Sequence, residues 1–403
     1  MKGFDQPIVL TKQISADQKD HDNDDEGKNI DGNENENKNK KRYKSKNGTY
    51  MFNMETHEML SSSIRNNPMS GIMFLPFLKL LFHKRKSIDW YRYKHRLTAL
   101  FFMSILNSFL SLVENFYLAY LYCSPTTREA FRTVDAGIDD HQQHPVFVLG
   151  HPRTGTTLLH SLLAFDEERF CISDTFMVGF PHCFLWFERM GKFLFKDILS
   201  ETRPMDNMKL HFDLPQEDEL GTNLLAGCTV SPYNSLFFMR DEREYRKYQC
   251  FLDEEIDDGD LQQWSKAFLS FIRKVKLRDV LKMKVRRRMG GRNSNSSSNR
   301  PRQLVLKSPC HTGRVKLLLK LFPNAKFVFI HRNPYEVFLS GAHLATTTYG
   351  WMFLQKPDDE DMQEYILKQG EILHNEYFSC RGIGNVLHGN VSSTGWLAGW
   401  LTD

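Results

Sequence analysis

The chain has 403 residues, 41% hydrophobic and 13% aromatic, enough to bury one large core, so one catalytic domain plus a tail is the simplest division. Lys and Arg (53) nearly balance Asp and Glu (49), leaving +4, which excludes a general polycation for nucleic acid and makes any anion site local. The seven cysteines are scattered, odd in number and without a CxxC pair, which argues against a zinc site and a disulfide framework and favours a reducing compartment.

No export signal is expected at the start, because the stretch after Met1 runs quickly into charge. Residues 1–50 form a charged tail, rich in Asp, Asn, Glu and Lys from Asp17 to Asn47, that cannot offset chain entropy by burial and is expected to be disordered. Residues 67–125 form an apolar and amphipathic helical region. It contains two apolar stretches, Met69 to Phe82 and Leu97 to Tyr122, joined by a basic link with Lys84, Arg85, Lys86, Arg92, Lys94 and Arg96. That order suits a membrane surface. The second stretch is long enough to span a bilayer, yet Ser104, Asn107, Ser108, Ser111, Glu114 and Asn115 make a narrow polar stripe at helical spacing. A glutamate is expensive in lipid, so an interfacial helix, or one packed by its stripe on the catalytic domain, is preferred to a spanning one, with a substrate-lid helix of a soluble protein close behind.

From His144 short β-branched runs alternate with helical segments, which predicts a parallel sheet with crossover helices over 144–383. Val146 to Leu149 reads as a buried strand, Gly150 to Gly155 as a turn, and Thr156 to Leu163 as a helix. Backbone N–H groups of such a loop converge on a phosphate, aided by the helix N-terminus, the charge of Arg153 and the hydroxyls of Thr156 and Thr157. The Gly150 to Gly155 spacing matches the ATP-binding P-loop, but Thr156-Thr157 stands where that motif needs Lys-Ser/Thr, so triphosphate hydrolysis fits poorly.

Val285 to Arg302 has no apolar periodicity and reads as a flexible surface insertion. Leu304 to Leu306 is a short strand ending at Lys307, followed by Ser308-Pro309-Cys310-His311. Lys326 to Ile330 is a stronger strand ending at His331-Arg332. Asn333 then caps a helix with Pro334 at its first position, placing Arg332 at a strand end and Ser340 about two turns into the helix. Ligands bind at that edge of open parallel sheets. Residues 384–403 carry no clear strand or helix signal and read as an atypical C-terminus.

These residues resemble the superfamily of sulfotransferases that use 3′-phosphoadenosine 5′-phosphosulfate (PAPS). Gly150-His-Pro-Arg-Thr-Gly-Thr-Thr157 is similar to the family's 5′-phosphosulfate loop, and Arg332 through Ser340 to its 3′-phosphate motif. Arg203-Pro-Met-Asp-Asn-Met208, Leu214-Pro-Gln-Glu-Asp-Glu219, Ser231-Pro-Tyr233 and Leu306-Lys-Ser-Pro-Cys-His-Thr312 resemble a branch found in bacteria and microbial eukaryotes. The resemblance implies a single P-loop-like α/β domain with a central parallel sheet flanked by helices. It also implies transfer of SO3 from PAPS to a hydroxyl, with no metal.

On that reading His151, Pro152, Arg153, Thr154, Gly155, Thr156 and Thr157 hold the 5′-phosphosulfate, and Arg332 and Ser340 hold the 3′-phosphate. Arg153 is expected on the bridging oxygen, with Lys307 neutralising the leaving group. His311 is placed slightly ahead of Glu217 as general base, since Pro215-Gln-Glu-Asp-Glu219 also reads as a helix first turn. His151 is expected to shape the pocket rather than take the proton. The family normally continues after Ile383 into another strand, and its apparent loss here suggests a truncated domain. The upstream apolar stretches favour a small or lipid acceptor and a membrane-associated enzyme, the cytoplasmic side slightly favoured over the Golgi lumen. The alternatives are an inactive protein that binds PAPS or adenosine 3′,5′-bisphosphate and, behind it, a P-loop kinase or NTPase.

Overall fold

The fold is described from a computed structural model of the chain. It describes residues 44–45, 48–49, 67–139, 144–203, 206, 208–251, 256–289, 302–380 and 386–390. The chain divides into two units, 1–54 and 55–403. In the first, Lys44–Ser45 and Gly48–Thr49 pair as a minimal antiparallel ladder. The rest of the tail expected to be disordered lies outside the described residues.

The second unit is built on a five-stranded parallel sheet. Its strands are β1 (Val146–Leu149), β2 (Phe170–Ile172), β3 (Gln303–Lys307), β4 (Lys326–His331) and β5 (Val386–Asn390), in the spatial order β2-β3-β1-β4-β5. Strand β1 is central, with Val146 opposite Val305 on one side and Lys326 on the other. Both faces of the sheet are covered, as parallel strands require. Val146, Val148, Val305 and Ile330 form a buried cluster with Leu159 and Leu163 of helix α4 (Thr156–Ala164). On the opposite face Phe147 stacks on Phe327 at 5.5 Å and meets Phe322 and the His311 ring. Alternate residues of one strand thus serve two cores.

Upstream, helices α1 (Phe74–His83), α2 (Lys94–Cys123) and α3 (Pro125–Asp139) belong to the same unit. Ser104, Asn107 and Glu114 of the polar stripe of α2 are buried, while Asn115 at its end is exposed. Asn107 donates to the carbonyls of Ser70 (2.7 Å) and Ile72 (3.2 Å). Arg96 donates to those of Gly350 and Phe353, and Glu114 accepts from the Leu185 amide and pairs with Lys274.

Three further helices after β2 are α5 (Thr175–Gly179), α6 (Phe184–Leu194) and α7 (Asp218–Leu225). The long α8 (Asp258–Met289) takes in the first five residues of the segment expected to be a flexible insertion. The lysines, arginines and leucines that precede Val285 favour helix strongly enough to carry it on; residues 290–301 lie outside the described residues. A one-turn helix, Glu242–Tyr245, precedes α8, and after β3 come α9 (Val315–Leu321), α10 (Pro334–Thr348) and α11 (Asp359–Ser379).

Strand β5 is a correction to the expected C-terminus. Val386–Asn390 pairs in parallel with β4 from Val386 opposite Phe327 to Asn390 opposite His331, where no strand was expected. An edge strand is held by backbone pairing and needs no long apolar run, so a segment interrupted by Gly and His gave no strand signal.

Candidate active site

The carboxyl ends of β1, β3 and β4 deliver three segments to one edge of the sheet. After Leu149 the chain turns through Gly150 at φ 147°, where a Cβ would lie 2.6 Å from the Ile330 carbonyl, so only glycine allows this loop to lie against β4. Arg153 (φ 75°) and Gly155 (φ 104°) are also left-handed, and the chain then enters α4. The Gly150 amide donates to Thr312 Oγ1 at 2.9 Å, and the Thr154 hydroxyl and amide both donate to the His151 carbonyl. This is the loop-and-helix start expected for Gly150 to Thr157, with Pro152, Thr156 and Thr157 on the wall of a cavity.

The two halves of the predicted nucleotide site touch. Arg153 Nε donates to Ser340 Oγ at 3.0 Å, and its guanidinium faces Asp206 at 3.4 Å, which also holds Arg203 at 2.7 Å. Arg332 points elsewhere and pairs at 2.6 Å with Glu336 one turn into α10, both groups more than a third exposed. His151 is buried, its Nδ1 2.8 Å from the Pro152 carbonyl and its ring 6.2 Å from that of His374. Burial lowers its pKa to about 4, so it stays neutral at physiological pH and supports the loop from behind.

The acid-rich segment before α7 sends three consecutive carboxylates to three destinations. Glu217 sits at the N-cap position of the helix without a side-chain capping bond and faces the cavity, where Lys307 Nζ lies 2.5 Å from its Oε1 and the Tyr233 hydroxyl donates to its Oε2. Burial and the Glu217 charge together push the Tyr233 phenol well up, keeping it a donor. Asp218 turns inward, accepting from the Lys307 amide at 2.9 Å through Oδ1 and meeting His311 Nε2 at 2.7 Å through Oδ2. Although burial alone would raise it, His311 holds the Asp218 carboxyl below its ordinary range. Glu219 pairs with the fully buried Arg314 and accepts from Ser231 and Trp264.

His311, placed ahead as general base, is corrected by this arrangement. Its side chain is 0% exposed, paired with Asp218 and packed against Phe147 and Phe268, and it does not line the cavity. The spacing from Lys307 turned it into the core because a short 3-10 turn, Pro309–Gly313, follows β3. Glu217 is the carboxylate that reaches the cavity.

That cavity has a volume of about 620 Å³. Arg153, Arg203, Glu217, Tyr233 and Lys307 make its polar end, and Leu100 and Met103 of α2, with Phe180, Phe212, Leu344 and Trp351, make its apolar walls. Arg203, Asp206 and Tyr233 were not singled out from the sequence, although each lies within a segment whose resemblance was noted. Asp174, Glu188 and Asp213 have metal-ligand proximity among the described residues, but all three surround the Lys192 ammonium at 2.7–2.9 Å, which already supplies their cation.

Comparison with known proteins places the chain in a family. The model of the family described as "Sulfotransferase family" matches residues 145–377. Two curated relatives are the omega-hydroxy-beta-dihydromenaquinone-9 sulfotransferase Stf3 of Mycobacterium bovis and that of Mycobacterium tuberculosis. Each is 32% identical over 309 residues, covering 73% of this chain and 67% of the relative. The solved structure of sulfotransferase STF1 from Mycobacterium tuberculosis aligns over 84% of this chain and 83% of its own, with a TM-score of 0.46 and 14% identity.

Proposed function

Because this chain belongs to the sulfotransferase family, we propose that it moves a sulfuryl group from PAPS to the hydroxyl of a small lipophilic acceptor, with Glu217 as general base. The observation that carries this reading is the Glu217–Lys307 pair at the polar end of an otherwise apolar cavity, beside Arg153.

The residues present fit the donor. The left-handed loop and the first turn of α4 offer backbone N–H groups to a 5′-phosphate, and the absent Cβ at Gly150 lets them converge. Arg153 and Ser340, already in contact, tie that loop to the α10 side, where Arg332 would hold the 3′-phosphate. The acceptor oxygen attacks sulfur, the S–O bond to the 5′-phosphate breaks, and adenosine 3′,5′-bisphosphate leaves. Lys307 moves its ammonium from Glu217 to the bridging oxygen and neutralises the charge developing there. Glu217, released on one oxygen and still held by Tyr233 on the other, takes the acceptor's proton.

A lipophilic acceptor is supported by the walls contributed by Leu100, Met103, Phe212 and Trp351, and by the hydroxylated menaquinone named for the Mycobacterium relatives. The test is calorimetric titration with adenosine 3′,5′-bisphosphate, 5′-AMP and ATP. Binding that requires the 3′-phosphate and is lost in Arg332→Ala supports the assignment; equal binding of 5′-AMP, or ATP binding that needs magnesium, counts against it.

A further inference from the structure

The long helix α2 shows the domain one face and leaves the other bare. Phe102, Ile105, Phe109, Leu112 and Phe116 recur every three or four residues and are 44–69% exposed. That spacing puts them on one stripe of the helix. Leu75, Leu78 and Phe82 form a similar exposed stripe on α1, and the rings of Phe74, Phe101 and Phe102, in edge contact at 5.6–5.7 Å, join the two helices. Such a surface is larger than the scattered apolar residues of an ordinary exterior.

The link between α1 and α2 borders this face with charge and aromatic rings. Arg85, Lys86 and Lys94 are exposed, as are Trp90 (47%) and Tyr91 (87%). Arg85 lies over the Phe82 ring at 4.7 Å and Lys94 over Tyr91 at 5.1 Å, so cations and aromatics sit together at the margin of the apolar stripe. Cationic and aromatic side chains beside an apolar helical face match the headgroup layer of an anionic bilayer.

The geometry points to α1 and α2 as an in-plane membrane dock that seats the enzyme on an anionic bilayer surface. Crossing the bilayer is excluded by the opposite face. Arg96 and Glu114 are both bonded to the body of the domain, and 18 helical residues separate them, about 27 Å of axis. A spanning α2 would carry Lys274 and the Leu185 amide into hydrocarbon with it. The N-terminal half of the same helix forms a cavity wall through Ala99, Leu100 and Met103, so a membrane-borne acceptor would pass round a single helix to reach Glu217. This route rests on the proposed function; the docking itself does not.

The test is co-sedimentation of the full chain with vesicles of phosphatidylcholine alone and of phosphatidylcholine mixed with phosphatidylserine. It needs neither donor nor acceptor, so its failure is distinct from failure of the sulfotransferase reading. Wild type should pellet with the mixed vesicles. The triple variant Phe102→Ser/Phe109→Ser/Phe116→Ser should lose about tenfold or more in binding. Arg85→Glu/Lys86→Glu/Lys94→Glu should lose the preference for phosphatidylserine, and both variants should unfold at the wild-type temperature by circular dichroism. Wild type remaining in solution with both vesicle types, or the folded triple variant pelleting like wild type, would overturn the proposal. So would a wild-type dimer that ignores vesicles and that the triple variant dissociates, which would assign this face to a second copy of the chain.

Discussion

Glu217 and Lys307 meet at 2.5 Å although they lie 90 positions apart in the chain, one just before α7 and the other ending β3. The proposed base and the cation proposed for the leaving group are thus paired with each other in this structure. On the proposed mechanism each is freed for its role only when the other is drawn away, so that donor binding would be coupled to activation of the base.

Replacing Glu217 with Gln keeps the shape and the Tyr233 contact but removes the proton acceptor. Turnover should fall by about 10²–10⁴-fold while affinity for adenosine 3′,5′-bisphosphate is retained. Steady-state kinetics paired with calorimetry checks this; a variant with wild-type turnover would show that another group takes the proton.

His311→Ala should act on stability. Removing one member of a fully buried hydrogen-bonded pair leaves Asp218 with an unmet acceptor oxygen and should cost about 1–3 kcal/mol. Denaturant unfolding measures the loss. In the fraction that remains folded, the pH dependence of kcat should match wild type, which it would not if the imidazole were the base.

Arg332 is held by Glu336 at 2.6 Å, a partially exposed pair. Arg332→Ala should weaken binding of adenosine 3′,5′-bisphosphate by about ten- to a hundredfold, the loss of a charge-assisted contact, and leave 5′-AMP unaffected. Glu336→Gln removes the competitor and should strengthen binding several-fold. Titration of both variants decides whether this pair opens toward the 3′-phosphate.

Acid should weaken the fold in two stages. Burial lowers the pKa of His151 and His182 to about 4 and of His160 to about 3, from an ordinary value of 6.5. The unfolded chain therefore binds protons that the folded one refuses. Each group should remove about 1.4 kcal/mol per pH unit as pH falls from 6.5 toward its folded value. Glu114 and Asp174, pushed up by burial, shift the other way and offset part of this. Asp218 is depressed, so its contribution is complete above its ordinary 3.8 and is lost as pH falls through its lower folded value. Unfolding free energies between pH 7 and 4 should show a shallower slope in His160→Gln than in wild type.

Much of this was legible before the structure. The β1 loop and the β4–α10 junction carry their own signals, apolar β-branched runs closed by Gly, Pro and a capping Asn, because local chemistry dictates them. The polar stripe of α2 was equally readable, since helical periodicity alone groups Ser104, Asn107 and Glu114. The choice between Glu217 and His311 was not. Three adjacent acids and one nearby histidine gain their directions from packing against Lys307, Phe147 and Arg314, contacts nearly a hundred residues distant or more. Strand β5 was hidden for a different reason, its pairing being a property of backbone and not of side chains.

The most direct test of the account is a single-turnover reaction of the wild-type chain with PAPS radiolabelled at sulfur and a membrane-borne isoprenoid alcohol, run beside Glu217→Gln. Wild type should give labelled sulfate ester and adenosine 3′,5′-bisphosphate in equal amounts, and the variant neither at a comparable rate. A folded wild-type protein that binds adenosine 3′,5′-bisphosphate yet transfers no label, or an equally active Glu217→Gln, would contradict it.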